Sequence, residues 1–254
     1  EGLMGERLRL DRYLSEVSKR TRKEAKALIR EGKVTVNQKV IHIPEQKINL
    51  ETDQIALDGH LLCYCKMEYY LLNKPAGIVS ASRDKREKTV VDLIQDRKRE
   101  DLFPVGRLDK DTEGLLLITN DGVLAHQLLS PKRHIDKVYF AKIKGKVDTE
   151  DQKKFQEGLT VDEEFTAMPA KLDILRVWQE DNDFYSEIHL TIREGKFHQV
   201  KRMFLAVGKE VLYLKRIAMG SICLPETLKL GSYRALTEQE IEQLKEEVSK
   251  KGKE

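Results

Sequence analysis

The chain has 254 residues, enough for one large domain or two ordinary ones. Charged residues make up 35% and hydrophobic ones 40%, and no apolar run reaches the length of a helical membrane span, so a globular protein rather than a helical membrane protein is expected. The net charge of +3 hides an asymmetry: residues 7–39 hold 11 basic and 4 acidic side chains (net +7), and the remainder holds 35 and 39 (net −4).

A concentrated basic segment is the electrostatic footprint of a polyanionic partner. The opening EGLMGERLRLDRYL lacks an apolar signal core, and Met4 is a candidate natural start, so a cytoplasmic protein is expected. Three sparse cysteines, Cys63, Cys65 and Cys223, fit a reducing compartment. The lone C-x-C does not supply the four ligands of a structural zinc site, and no metal is expected.

In chain order, LRLDRYLSEVS places Leu10, Tyr13, Leu14 and Val17 at helical spacing. Thr21 then reads as an N-cap, with Glu24 three residues on completing a capping box. The helix RKEAKALIREG has Ala25, Leu28 and Ile29 on its apolar side and ends at Gly32. Arg20, Arg22, Lys23, Lys26 and Arg30 decorate the loop before it and its other faces. A strand with Val34 and Val36 follows, with a turn near Asn37-Gln38. A charge run is usually a solvated face, but this excess is of one sign, which points to RNA or DNA. The arrangement resembles the alpha-L type RNA-binding domain over roughly residues 7–60. That resemblance implies phosphate contacts from the five basic residues, which give affinity and salt sensitivity rather than sequence choice.

Past DGHLLCYCKM the pattern changes. YYLLNKPAG reads as a buried strand over 69–72, ended by turn-forming Asn73-Lys74-Pro75 and Gly77. In GRLDKDTEGLLLITNDG a charged loop runs directly into the apolar strand Leu115–Ile118, and Asp121 is placed to cap a helix with Leu124 and Leu128 facing inward. A carboxylate just before a buried strand is rigidly held, as a nucleophile must be. The physics leaves Asp109 and Asp111 as rivals for that role. KVYFAKIKG alternates, with Tyr139, Ala141 and Ile143 on one face. Tyr139 is either core packing or a ring against which a flipped base stacks. A strand ending at Gly195 is followed by a helix whose stripe is Val200, Met203, Phe204 and Val207, with His198, Lys201 and Arg202 off the stripe. A cation there can face a carboxylate and keep it ionised. TEQEIEQLKEEVSKKGKE reads as a polar helix capped at Thr237 that frays.

Together, GRLDKDTEGLLLITNDG, the K-x-Y of Lys137 and Tyr139, EGKFHQVKRMF, LKRIAMGSICL and LGSYRALTEQE resemble the RsuA-type family of ribosomal RNA pseudouridine synthases. The resemblance covers nearly the whole chain in the right order. It implies that Asp109 is the nucleophile, that Tyr139 packs on the target base and takes part in the closing proton transfer, and that Lys201 pairs with Asp109. Arg107, His198, Gln199 and Arg202 are then substrate-binding residues, and Leu190 or Ile192 supplies an apolar wall. The implied reaction, an internal rearrangement of uridine, needs no cofactor.

The expected fold class is α+β: a small helical and β RNA-binding domain (1–62), a flexible linker (63–68), and a catalytic domain (69–254). The catalytic domain is expected to carry a mixed, mainly antiparallel sheet flanked by helices. The expected partner is ribosomal RNA or a ribosomal subunit assembly intermediate, met by a monomer. The D-K-D-T-E-G loop, SPKRHIDKVY and the compact C-terminus are closer to the small-subunit (16S) branch than to the large-subunit (23S) branch. The rival from another class is a non-catalytic ribosome-assembly RNA-binding protein, which predicts tolerance of Asp109→Ala. An aminoacyl-tRNA-type enzyme sharing only the basic module would need an ATP-binding motif, and no P-loop is present in the sequence.

Overall fold

A computed structural model of the protein describes residues 5–250, so Met4 and the last four residues lie outside the described residues. The chain divides into two compact units. The first runs to Glu68 and also takes in Gln95–Leu102; the second comprises Tyr69–Ile94 and the chain from Phe103 onward.

In the first unit, α1 (Leu10–Val17) and α2 (Arg22–Arg30) pack on short strands that include Val34–Val36 and Ile55–Leu57. Leu10, Leu14, Ala25, Ile29 and Val34 are fully buried there. Each large aliphatic side chain in that set contributes about 2 kcal/mol by leaving water. The capping box forms as the sequence predicts: Glu24 N donates to Thr21 Oγ1 (3.2 Å), and Thr21 N donates to the Glu24 carboxylate (2.6 Å).

The two units do not follow the boundaries expected from the sequence: residues 63–68 group with the first unit, as does the later segment 95–102. Residues 63–68 are tied into the first unit. Tyr64 stacks on Tyr13 with ring centroids 5.5 Å apart. Glu68 accepts from the backbone N of Lys98 (2.9 Å) and of Arg99 (3.0 Å). Arg99 is buried and pairs with Glu16 (3.0 Å) and Asp101 (2.7 Å). The segment 95–102 is therefore held in the first unit by ion pairs that no local pattern announces.

The second unit is built on a nine-stranded sheet. Its seven main strands are β1 (Tyr69–Lys74), β2 (Glu113–Thr119), β3 (Lys137–Lys144), β4 (Lys171–Glu180), β5 (Asp183–Ile192), β6 (Glu210–Met219) and β7 (Tyr233–Ala235). The spatial order is β4-β5-β3-β6-β2-β1-β7, and every pairing is antiparallel except β6 with β2. This is the expected mixed, mainly antiparallel sheet. Helices α3 (Gly122–Leu129), α4 (Thr149–Glu157), α5 (Gln199–Ala206) and α6 (Glu238–Lys250) accompany it.

The unbroken apolar runs of β1 and β2 are explained by burial on both faces: Leu71, Leu72 and Leu115 to Ile118 are all buried. On one face Leu71, Leu115 and Leu117 meet Leu124 and Leu128 of α3 and Leu244 and Val248 of α6. Asp121 caps α3 as predicted, accepting from Leu124 N at 3.0 Å. β1 extends two residues past the expected strand: Asn73 and Lys74 are buried ladder residues, not turn residues.

The C-terminal helix also departs from the reading of a fraying polar tail, because Leu244 and Val248 dock it on this core. Its first turn is clamped. Both guanidinium nitrogens of Arg234 donate to the Glu240 carboxylate (2.7 and 3.0 Å), and Thr237 N donates to it as well (2.9 Å). The hydrogen bonds from Arg234 pull the Glu240 carboxyl down to about 2 against the opposing effect of burial. A carboxyl depressed in the folded state contributes stability in full above its ordinary value and loses it as pH falls through the folded one. After allowance for solvent screening the clamp contributes about 1 kcal/mol. Glu240→Gln is therefore expected to lower stability by about 1 kcal/mol at pH 7, with the difference from wild type shrinking between pH 4.5 and pH 2. Urea titrations across that range measure it, and a pH-independent difference would remove the assignment.

Candidate active site

The loop ahead of β2 carries the carboxylates and is held from beneath by its backbone. Lys74, at the end of β1, is fully buried. Its ammonium donates to the carbonyls of Pro75 (3.1 Å), Asp109 (3.2 Å), Lys110 (3.1 Å) and Thr112 (2.8 Å). Burial pushes that ammonium down to about 8, while the charges of Asp111, Asp109 and Glu113 work the other way. Ser80 adds a reciprocal pair, donating to Leu108 O (2.9 Å) and accepting from Leu108 N (3.2 Å). Gly114 then takes φ +107°, beside the parallel pairing with β6. A Cβ there would lie 2.2 Å from Arg216 O, so only glycine lets the two backbones meet.

On this platform Asp109 faces α5. His198 Nε2 lies 3.3 Å from Asp109 Oδ1, and Lys201 Nζ lies 3.4 Å from Oδ2. The shorter contact of Lys201 is with Asp111, at 2.7 Å. Burial alone would lower the Lys201 ammonium, but the hydrogen bond to Asp111 and the charges of Asp109 and Asp111 outweigh it and raise it. The same hydrogen bond holds the Asp111 carboxyl below the usual range. Lys201 is thus a fixed cation shared by both carboxylates, and Asp111 does more than brace the loop.

Tyr139 is 8% exposed and sits on β3 opposite Leu190 of β5 and Arg216 of β6. A cavity of about 570 Å³ opens here, lined by Asp109, Arg107, Lys137, Tyr139, His198 and Arg216 among others. Its size suits an organic ligand. Asp109, Tyr139, Arg107 and His198 line this cavity, and the same four line a second pocket together with Lys201. Ile192 lines that second pocket, while Leu190 is packed in the core.

Residues 68–206 match the family described as RNA pseudouridylate synthase, and residues 8–55 match the S4 domain. An uncharacterized RNA pseudouridine synthase of Bacillus subtilis, YtzG, is 42% identical over 94% of this chain and 99% of its own. The chain belongs to the RNA pseudouridylate synthase family. Ribosomal large subunit pseudouridine synthase B of Bacillus subtilis is 40% identical (93% of this chain, 95% of its own). Ribosomal small subunit pseudouridine synthase A of Vibrio cholerae is 37% identical (92% and 98%). A crystal structure of a pseudouridylate synthase superposes with a TM-score of 0.63 at 36% identity, covering 93% of this chain and 99% of that one.

Two residues expected to bind substrate in this pseudouridine synthase are occupied elsewhere. Gln199 is buried; its amide donates to Glu194 (2.9 Å) and accepts from Lys196 N (3.0 Å). It shapes the loop before α5. Arg202 turns to the 162–165 loop, pairing with Asp162 and Glu164 and lying 4.6 Å from the Phe165 ring centroid. Of the expected RNA-binding set, Arg22, Lys23 and Arg30 are exposed and Arg20 and Lys26 half-buried, with Arg22 also 3.3 Å from the buried Asp11. The sequence reading missed Lys74, Ser80, Glu194 and Arg216. The signal available for Lys74 was a lysine closing an otherwise apolar strand. His198 was read, but its strained left-handed backbone (φ 48°) was not visible in sequence.

Proposed function

We propose that this protein isomerises one uridine of 16S ribosomal RNA to pseudouridine, with Asp109 as nucleophile. The observation that carries this reading is Asp109 lining the cavity together with Tyr139, 3.4 Å from the shared cation Lys201. The rearrangement is internal to the nucleotide. The C1′–N1 bond breaks, a C1′–C5 bond forms, the C5 proton leaves and N1 gains one, so atoms balance without a co-reactant. Asp109 assists departure of the base by attack, Tyr139 packs on the detached ring, and Tyr139 or a neighbouring group takes the C5 proton. Water must be kept out while the base turns. The target must also leave its stack, which favours a loop or unpaired uridine and costs roughly a few kcal/mol.

The basic face of α2 offsets that cost through phosphate contacts, which give the binding its salt dependence. The protein acts as a cytoplasmic monomer on ribosomal RNA or an assembly intermediate. The small-subunit reading rests on the D-K-D-T-E-G loop and the SPKRHIDKVY segment, and small-subunit synthase A of Vibrio cholerae matches over nearly its full length. Large-subunit synthase B of Bacillus subtilis matches as fully, which makes 23S RNA the second reading. Mapping pseudouridines in both RNAs from cells with and without the gene decides it. One site lost from 16S is the expected result; loss from 23S transfers the substrate, and no lost site removes the activity.

Lys201→Met tests the cation. It is expected to slow isomerisation by about 100-fold or more while leaving the fold intact, because the contact stabilises charge in a water-poor site. Single-turnover rates and a melting curve measure both, and full activity would sink the pair.

A further inference from the structure

Two buried cations in the cavity have no task in the reaction as described. Arg216 is 2% exposed and Lys137 is 4% exposed. Arg216 Nε donates to Leu115 O at 2.9 Å, which fixes the guanidinium, but its Nη2 is buried and has no hydrogen-bond partner among the described residues. Among the described residues Lys137 Nζ makes one hydrogen bond, a long one to Ile135 O at 3.3 Å. A buried donor without an acceptor is costly, and neither cation makes a salt bridge to a carboxylate among the described residues. Such groups persist where an incoming molecule completes them.

The sheet aims both into one space. Lys137 and Tyr139 share the buried face of β3, and Arg216 is the register partner of Tyr139 on β6. All three line the cavity with Asp109, as does Glu194. Glu194 is buried, and its Oε1 accepts from Met168 N (2.7 Å) and Gln199 Nε2 (2.9 Å), which leaves Oε2 without a hydrogen bond among the described residues. Burial and the charge of Arg216 lower the Lys137 ammonium while the charges of Asp136 and Glu194 raise it, so Arg216 and Glu194 both lie within electrostatic reach of Lys137.

We propose that Arg216, Lys137 and Glu194 read the edge of the target base, the two cations donating to its carbonyl oxygens and the carboxylate accepting from its N3–H. The inference rests on the reading that this cavity receives the flipped uridine. Uracil presents acceptor, donor, acceptor along that edge, and the site supplies the complementary set. Cytosine presents an acceptor at N3 and an amine donor beside it, so it meets a carboxylate and a cation of the wrong sense. A phosphodiester is the other acceptor available in RNA. It does not fit here, because the cations lie at near-zero exposure beside Tyr139, at a depth a flat base reaches and a strand does not. Cations beside the carbonyl oxygens also stabilise the charge left on the base when the C1′–N1 electron pair departs with it.

The test pairs protein and substrate changes. A short RNA fragment around the mapped uridine is made with uridine, 2-thiouridine or 4-thiouridine at that position, since sulfur accepts hydrogen bonds poorly. Arg216→Met and Lys137→Met are each assayed on all three RNAs for single-turnover rate and for affinity. Each variant is expected to slow isomerisation of uridine about tenfold or more with affinity unchanged, as for loss of a buried hydrogen bond to substrate. Each is also expected to lose nothing further on the one thio-substrate whose sulfur replaces its partner oxygen. Additive losses on both thio-substrates overturn the proposal. So does a fall in affinity with a smaller salt slope, which marks a phosphate contact. Arg216→Met also removes the tie to Leu115 O, so the Lys137→Met arm and a melting curve separate misfolding from lost recognition. No pseudouridine from the wild-type protein on the unmodified fragment would instead defeat the functional reading; activity with additive losses defeats only this inference.

Discussion

Asp109→Asn is expected to bind ribosomal RNA as tightly as the wild-type chain and to form pseudouridine about 10⁴-fold more slowly or not at all, the scale for loss of a covalent catalyst. The change keeps the shape of the side chain and removes its negative charge. The loop should survive it, because the parts that hold the loop do not touch the Asp109 side chain. Lys74 binds the carbonyls of residues 75, 109, 110 and 112, and Ser80 binds the backbone of Leu108. Lys201 keeps its 2.7 Å contact with Asp111. RNA affinity should not change if the basic face of α2 supplies the phosphate contacts, as proposed. The measurements are single-turnover product formation, RNA titration and a melting curve. Isomerisation near the wild-type rate would remove Asp109 as nucleophile, and tolerance of Asp109→Ala would favour a non-catalytic assembly protein.

Lys74→Met is the largest expected effect on stability. An ammonium has three protons, and here four carbonyls lie within 3.2 Å of it, so at least one proton is shared. Methionine keeps an unbranched apolar chain, one heavy atom shorter, and supplies no donor. The four carbonyls would then be left in a fully buried spot, at a cost of about 3–5 kcal/mol. Urea denaturation measures it; a loss below about 1 kcal/mol would show that the loop finds other partners. Under conditions where the variant stays folded, isomerisation should still fall about 100-fold, because displacing a reacting group by an ångström has that effect. RNA affinity should not change. The contrast with Asp109→Asn is diagnostic: one variant loses chemistry with full stability, the other loses both.

How legible the protein was in its sequence depended on the range of each interaction. Thr21 with Glu24, and Asp121 with Leu124, are contacts three residues apart, so chain order alone contained them. The alternation in KVYFAKIKG put Tyr139 on a buried face for the same reason. The family pattern singles out Asp109, Tyr139 and Lys201 as a proposed set, whereas elementary physics leaves Asp111 a close rival of Asp109. The structure gives each carboxylate a share of Lys201, which explains why a reading of the loop alone could not separate them. The C-terminal helix departs from a fraying tail because Ile241, Leu244 and Val248, at i, i+3 and i+7 in an otherwise polar segment, find a core to meet.

By itself, then, the sequence determined the helix caps, the basic face of α2 and the strands and helices that carry the motifs, and through the family pattern it nominated a catalytic set. Those rest on short-range geometry or on residue types in a recurring pattern. Only the tertiary structure decided that Lys74 supports the Asp109 loop, that Arg216 and Lys137 line the cavity, that Arg202 and Gln199 are occupied elsewhere, and that residues 95–102 belong to the first unit. Each of these depends on which strands lie side by side and which charges are buried together. The parallel meeting of β2 with β6 at Gly114 and Arg216 joins residues about a hundred positions apart, and their energies exist only once water has been excluded from between them.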